Sequence, residues 1–121
     1  MTDTLAEQLG RLRTEIPAQE KQVAKRDAAL RLIDNPDFKE LIEEDYMKEE
    51  VLRNLTISTD PALDPQQRED ALLMARGGTM LKSYLRAQVG MGNVAEKNIA
   101  DIHEMIRDIE AEIDAEAKEA N

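Results

Sequence analysis

Few residues of this chain have the types and the spacing that chemistry needs. The sequence contains one histidine, His103, and no cysteine. It therefore offers almost no ligands for a zinc site and almost no residues for a nucleophile–base pair. His103 directly follows Ile102, a member of an apolar helical repeat, which predicts a solvated imidazole on the flank of that helix. We therefore predict no catalytic residue, no metal ligand, no cofactor and no enzymatic activity.

Two further features could in principle bind ions. The acidic stretch 43–50 has the carboxylates that Ca²⁺ prefers, but it lacks the acidic spacing and the turn glycine of a calcium loop. Gly77-Gly78 and Gly90-Met91-Gly92 could suggest a phosphate cradle, but neither pair follows a strand or belongs to a phosphate-binding glycine motif. We predict a solvated acidic face at the first feature. For the second we predict helix packing at Gly77 and Gly78, and a hinge at 90–93.

Composition indicates long helices. Of 121 residues, 35% are charged and only 2% are aromatic, and the apolar residues are mostly Leu, Ile, Ala and Met. The net charge of −10 argues against a general nucleic-acid binder and against binding to an anionic membrane surface. No apolar run approaches the roughly 20 residues of a membrane span. We therefore predict neither nucleic acid nor membrane as a partner.

The periodic segments predict four helices in a single domain, 1–121. The predicted helices are about 4–34 with a kink at Pro17, 36–55, 65–89 and 94–118, with a loop at 56–64. Proline lacks the N–H that the helix needs, which is the reason for the kink. Asn35 and Pro36 suit the N-cap and first position of the second helix, and Phe38 fixes the entry of that helix. The Asp64–Gln67 spacing is that of a capping box.

Two apolar seams with alternating steps of three and four residues predict coiled-coil helices at both ends of the chain. The predicted interaction seam consists of Leu5, Leu9, Leu12, Ile16, Ile99, Ile102, Ile106, Ile109 and Ile113. Isoleucine at both seam positions favours three or four strands in parallel assemblies, which predicts a homo-oligomer. Alternatively, the N-terminal half of this seam packs against its C-terminal half within one chain. The predicted fold class is all-α, a helical hairpin or bundle with coiled-coil terminal helices.

Two stretches carry a resemblance. In 30–50, Asn35-Pro36-Asp37-Phe38 is followed by Tyr46-Met47-Lys48-Glu49, and 84–92 begins with Tyr-Leu and ends with Met-Gly. In this order they resemble a family of small, acidic, helical proteins of tailed bacteriophages, over about 30–92 of the chain. Because such proteins are encoded among genes for virion structure and packaging, the resemblance implies a virion or assembly component that contacts capsid, portal or neck proteins. The family pattern includes no catalytic residues, so the resemblance implies none in this chain.

The resemblance implies a location in the virion, with assembly in the host cytoplasm. Two other hypotheses stay open. The first is an acidic inhibitor of a host nucleic-acid-binding enzyme, because 94–121 contains nine acidic and three basic side chains. The second is a transient scaffolding protein that leaves the particle after assembly.

Overall fold

The computed structural model describes residues 4–120, and this part of the chain is all-α without strands. Helix α1 is Leu5–Asp34. Helix α2, 36–58, begins as an α-helical turn at Pro36–Phe38, continues as a π-helix over Lys39–Glu50 and ends as an α-helix over Val51–Ser58. Helix α3 is Pro65–Glu119. None of these helices combines the length and the apolar character that a membrane span requires.

Helix α1 runs through Pro17. Proline removes one backbone hydrogen bond and crowds the preceding turn, which is why the sequence predicts a kink at this point. The apolar residues Ile16 and Val23 keep one phase on either side of it and are both half-buried. Their packing offsets the lost hydrogen bond, so the helix continues.

Helix α2 extends to Ser58, three residues past the predicted end at 55. Hydroxyl-rich sequence usually favours loops, because such side chains compete for backbone partners. Here the hydroxyl-bearing residues are helical, and their side chains donate hydrogen bonds to backbone carbonyls of the preceding turn. The Thr56 hydroxyl donates to Leu52 O at 3.0 Å and the Ser58 hydroxyl to Leu55 O at 2.6 Å. The predicted loop is accordingly shortened to 59–64.

Helix α3 begins with the predicted reciprocal cap. The Gln67 backbone N–H donates to Asp64 Oδ1 at 2.8 Å, and the Asp64 N–H donates to Gln67 Oε1 at 3.2 Å. The predicted break at 90–93 is wrong, because the helix continues through it. The reason lies in the inward face of α3, where every seventh residue is buried or half-buried. These residues are Ala71, Gly78, Leu85, Gly92, Ile99, Ile106 and Ile113.

The described residues form two compact units where the sequence predicts one domain. The terminal unit combines residues up to 27 with residues from 90 onwards, and its buried apolar residues are Ala95, Ile102 and Ile106. The central unit is Ala28–Val89. Its buried apolar residues are Ala29, Ala71, Ala75 and Leu85. Each unit thus has a small core of its own.

Candidate interaction surfaces

In the terminal unit, α1 and the end of α3 lie side by side and antiparallel. The Arg13 guanidinium pairs with Glu110 at 2.8 Å, and Arg26 pairs with Glu96 at 2.7 Å. Residue numbers thus fall along α3 as they rise along α1. This arrangement brings the two halves of the predicted interaction seam together within one chain.

The seam residues fill the space between these two helices. Ile102 and Ile106 are 5% and 8% exposed, and the other seven seam residues are half-buried. Leu12 lines the same groove as Ile109 and Met105. The isoleucine side chains therefore pack against α1 and are not a free apolar surface.

Arg26 of α1 makes three side-chain hydrogen bonds in the terminal unit. Its side chain is 13% exposed and lies over Gly92. Nη1 donates to Glu96 Oε2 at 2.7 Å and to Asn93 Oδ1 at 3.0 Å, and Nε donates to Asp27 Oδ1 at 3.1 Å. The hydrogen bonds to Glu96 and then to Asp27 raise the pKa of Arg26 above its ordinary value. Asn93 and Glu96, both within α3, thus hold this arginine of α1.

In the central unit, Gly77 and Gly78 lie where α2 packs against α3. A Cβ atom on Gly78 would be 2.6 Å from Val51 Cγ2 and 3.4 Å from the Tyr46 carbonyl oxygen, and one on Gly77 would be 3.3 Å from Tyr46 Oη. Glycine costs a helix roughly 1 kcal/mol relative to alanine. Close packing of α2 against α3 offsets this cost at Gly77 and Gly78.

The start of α2 follows from Asn35 and Pro36. The Asn35 side-chain oxygen accepts hydrogen bonds from the backbone N–H groups of Asp37, at 2.9 Å, and Phe38, at 3.1 Å. Pro36 occupies the first helical position, where its missing N–H has no helical partner to lose. Phe38 is half-buried. These residues fix where α2 leaves α1.

The buried face of α2 does not coincide with its apolar residues. Phe38 and Ile42 are half-buried, but Leu41, Leu52 and Leu55 are exposed. The half-buried or buried residues farther along the helix are instead Met47, Glu50, Val51, Asn54, Ile57 and Ser58. Hydrogen bonds in a π-helix span five residues and not four, so side chains leave the phase that an α-helix predicts.

The central unit exposes much more apolar surface than the terminal unit. Of the thirteen large apolar residues that are exposed in the described part of the chain, three lie in the terminal unit. The ten in the central unit are Leu30, Leu32, Leu41, Tyr46, Leu52, Leu55, Leu73, Met74, Met80 and Tyr84. Where exposed apolar side chains lie next to one another, they form the kind of patch that marks a contact surface.

Four exposed residues of α3 form a regular stripe on the central unit. Leu73, Met80, Tyr84 and Ala87, here called the outer seam, follow one another at steps of seven, four and three. These steps place them along one line of the helix, as in a coiled coil. Met80, at its middle, is 70% exposed. The same heptad spacing is readable in the sequence, but spacing alone does not distinguish this stripe from the buried one.

Helix α2 carries an acidic groove on its exposed side. It is lined by Asp37, Glu40, Leu41, Glu44, Asp45 and Glu49. Five of the six side chains are carboxylates, and Leu41 among them is 62% exposed. This groove combines negative charge with an apolar side chain left in water.

A second groove of the central unit, of about 580 Å³, contains both charges. Its cations are Lys48, Lys82 and Arg86, its carboxylates are Glu43 and Glu44, and apolar residues make up the rest of its lining. The Lys48 ammonium is 3.7 Å from Glu44. Opposite charges offset each other here, and the groove has no marked preference for an anion or a cation.

The residues considered for chemistry lie apart. His103 is exposed on α3, and the acidic stretch 43–50 is helical, with its carboxylates around the helix. Within residues 4–120, no three His, Cys, Asp or Glu side chains are grouped so that they could hold a metal ion. Packing against a neighbouring helix, and not a phosphate cradle, accounts for Gly77, Gly78 and Gly92.

Comparison of the chain with protein-family models, with curated proteins and with solved structures gives no match.

Proposed function

We propose that this chain is a non-enzymatic component of a tailed-bacteriophage particle or of its assembly, and that it binds a capsid, portal or neck protein. The observation that carries the proposal is the exposure of ten large apolar residues on the central unit. Apolar surface left in water is unfavourable, and covering it stabilises a complex. The resemblance to phage proteins covers about 30–92, which contains nearly all of this unit, and supplies the class of partner.

The proposed contact lies away from the interaction seam predicted from the sequence. The isoleucines of that seam pack on α1 within the terminal unit, so they offer little surface to a partner. Leu52 and Leu55, by contrast, are both exposed and lie three residues apart on the α-helical end of α2. Residues three apart share one helix face, which makes them a natural anchor pair for a partner helix.

The test is co-purification of the full chain with candidate capsid, portal and neck proteins, together with mass spectrometry of mature particles. A variant with Leu52→Ser and Leu55→Ser should bind at least about tenfold more weakly, because it loses apolar contact area. The matched control replaces two exposed apolar residues of the terminal unit, Val94→Ser with Met105→Ser, and should bind like wild type.

The outcomes separate the hypotheses. Presence in mature particles supports a permanent component, and presence only in assembly intermediates identifies a scaffold. Binding to a basic host enzyme that weakens steeply with salt, with no binding to any virion protein, would replace the proposal by the inhibitor hypothesis.

A further inference from the structure

The π-helical part of α2 is much longer than the single turn that π-helical segments of proteins usually have. It covers Lys39–Glu50, which is 12 residues. The start of α2 is fixed, because Asn35 caps its first turn and Phe38 is half-buried. The hydrogen-bond pattern after this start therefore decides which side chains of α2 face inward.

In the π-helical form, the inward face of α2 is apolar. Ile42, Met47 and Val51 follow Phe38 at steps of four, five and four residues, and they are half-buried. A Cβ atom on Gly78 of α3 would be 2.6 Å from Val51 Cγ2 and 3.6 Å from Met47 Cα. The longer hydrogen-bonded turn of the π-helix brings these residues onto one line.

An uninterrupted α-helix from the same start would turn two carboxylates inward. In an α-helix, residues four, seven, eleven and fourteen positions after Phe38 lie on the same face as Phe38. These residues are Ile42, Asp45, Glu49 and Leu52. In the structure, Asp45 and Glu49 line the exposed acidic groove instead. The π-helical form thus keeps both carboxylates in water.

The side of α3 that is covered in the central unit offers these carboxylates no partner. Its buried or half-buried residues between 71 and 85 are all apolar or glycine, namely Ala71, Leu72, Ala75, Gly77, Gly78, Leu81 and Leu85. The cations Lys82 and Arg86 line the other groove, beside Glu43 and Glu44. Burying a carboxylate without a partner is strongly unfavourable, so the charges of Asp45 and Glu49 disfavour the α-helical form.

Apolar residues are available for the inward face of either form. Leu52 is 59% exposed in the structure, and its neighbour Val51 is half-buried. In the α-helical form Leu52 would take the inward place of Val51, because it lies about four α-helical turns after Phe38. The two carboxylates, and not the apolar residues, therefore decide between the forms.

We propose that the negative charges of Asp45 and Glu49 hold this segment of α2 in the π-helical form, and that removing both charges converts it to an α-helix in which Leu52 turns inward. The segment is a conformational switch controlled by charge. Its regulatory consequence rests on the proposed function, in which Leu52 and Leu55 are the anchor pair for a virion protein. Neutralising the two carboxylates would withdraw Leu52 from that pair.

The experiment determines which of two neighbouring side chains is exposed, from the rate at which a maleimide modifies a single cysteine placed there in the full chain. The chain has no cysteine of its own, and cysteine packs as a small apolar side chain. With all carboxylates present, Leu52→Cys should react about tenfold or more faster than Val51→Cys, because an inward thiol reacts only when the helix opens locally.

Removing the two charges should change this order. With Asp45→Leu and Glu49→Leu, Val51→Cys should become the faster by about tenfold, while circular dichroism still shows a helical chain. Asp45→Asn with Glu49→Gln removes the charges without adding apolar surface, and should narrow the difference between the two thiols by about threefold or more. The matched control, Glu40→Leu with Glu44→Leu, removes two charges of the same groove from positions outside both inward faces. It should leave the ratio of the two rates unchanged.

An unchanged ratio in both charge-removing variants, or the same change in the control, overturns the proposal. Equal rates at residues 51 and 52 with all carboxylates present also overturn it, since the π-helical form would then not be the form in solution. If the double leucine variant loses its helical spectrum, the Asn–Gln variant decides alone. These measurements contain no partner, so co-purification with virion proteins decides the proposed function separately.

Discussion

Gly92 of α3 lies directly beneath the side chain of Arg26 of α1. A Cβ atom on residue 92 would collide with Arg26 Cβ and would lie 2.8 Å from both Cγ and Cδ, closer than non-bonded carbons approach. The same guanidinium donates to Asn93 and Glu96 on the next turn. The glycine lets the two helices meet at this point, and the arginine fixes their register.

Gly92→Ala should destabilise the protein by about 1–2 kcal/mol, because overpacking outweighs the roughly 1 kcal/mol gain in helix propensity. Gly90→Ala is the matched control. No atom lies within 4 Å of a Cβ built at residue 90, so this change should stabilise by about 1 kcal/mol. Urea unfolding measures both, and equal effects at the two glycines would contradict the close contact.

Arg26→Gly should reverse the sign of the effect at residue 92. With Cβ, Cγ and Cδ of Arg26 all gone, Gly92→Ala on the Arg26→Gly background gains helix propensity and no longer meets the atoms that crowd it. A double-mutant cycle, again by urea unfolding, should give a coupling well outside additive error. Additive effects would mean that some other contact sets the cost at residue 92.

Ile106→Asp should destabilise the terminal unit by about 4 kcal/mol or more, because a charge enters a packed apolar seam. Ile106 is 8% exposed, whereas its neighbour Met105 is 47% exposed. Met105→Asp, with the same new charge on the same helix, should cost less than about 1 kcal/mol. Thermal unfolding followed by circular dichroism compares them, and similar melting temperatures would mean that the isoleucine seam is not packed within the chain.

Asn35→Ala should cost about 1 kcal/mol of stability, because the N-terminus of α2 loses its two capping hydrogen bonds. Asn35→Asp keeps the acceptor oxygen and should stay close to wild type. Asp34→Ala, one residue earlier, controls for loss of an exposed polar side chain. Denaturant midpoints in which Asn35→Ala equals Asp34→Ala would exclude the cap.

The pair Glu50–Arg53 predicts a pH dependence. Arg53 Nη2 donates to Glu50 Oε2 at 2.8 Å, and this hydrogen bond lowers the pKa of Glu50 below its ordinary value of 4.5, partly opposed by burial. Because the folded pKa is the lower one, the stabilisation is complete above about pH 4.5 and is lost as pH falls through the folded pKa. Unfolding between about pH 6 and pH 3 should therefore show wild type losing stability relative to Glu50→Gln. A constant difference across that range would exclude the linkage.

Much of the fold is readable from local sequence. Asn35-Pro36 and Asp64-Pro65 fix two helix starts because their side chains cap the first turn next to them. The isoleucine repeat fixes the inward face of the last helix, because 3.5-residue spacing keeps those side chains on one line. Charge balance, the single histidine and the absence of cysteine follow directly from composition.

The rest depends on which surfaces meet in three dimensions. Gly90 and Gly92 have the same local signal, and the sequence predicts a hinge at both. Only the neighbouring helix distinguishes them, because Gly92 lies under Arg26 and Gly90 has open space. Likewise, Leu73 and Leu85 are both apolar residues of α3, and only the position of α2 decides which of them is buried.

The sequence by itself therefore determined that this protein is all-α, where two of its helices begin, and which residues form the apolar repeats. The tertiary structure alone decided that the isoleucine seam is covered within the chain, that α3 is continuous, and that the exposed apolar surface lies on the central unit. The physical reason is that capping and periodicity act between residues a few positions apart. Burial is set by residues far away in the chain, such as Arg13 and Glu110, that meet only in the folded protein.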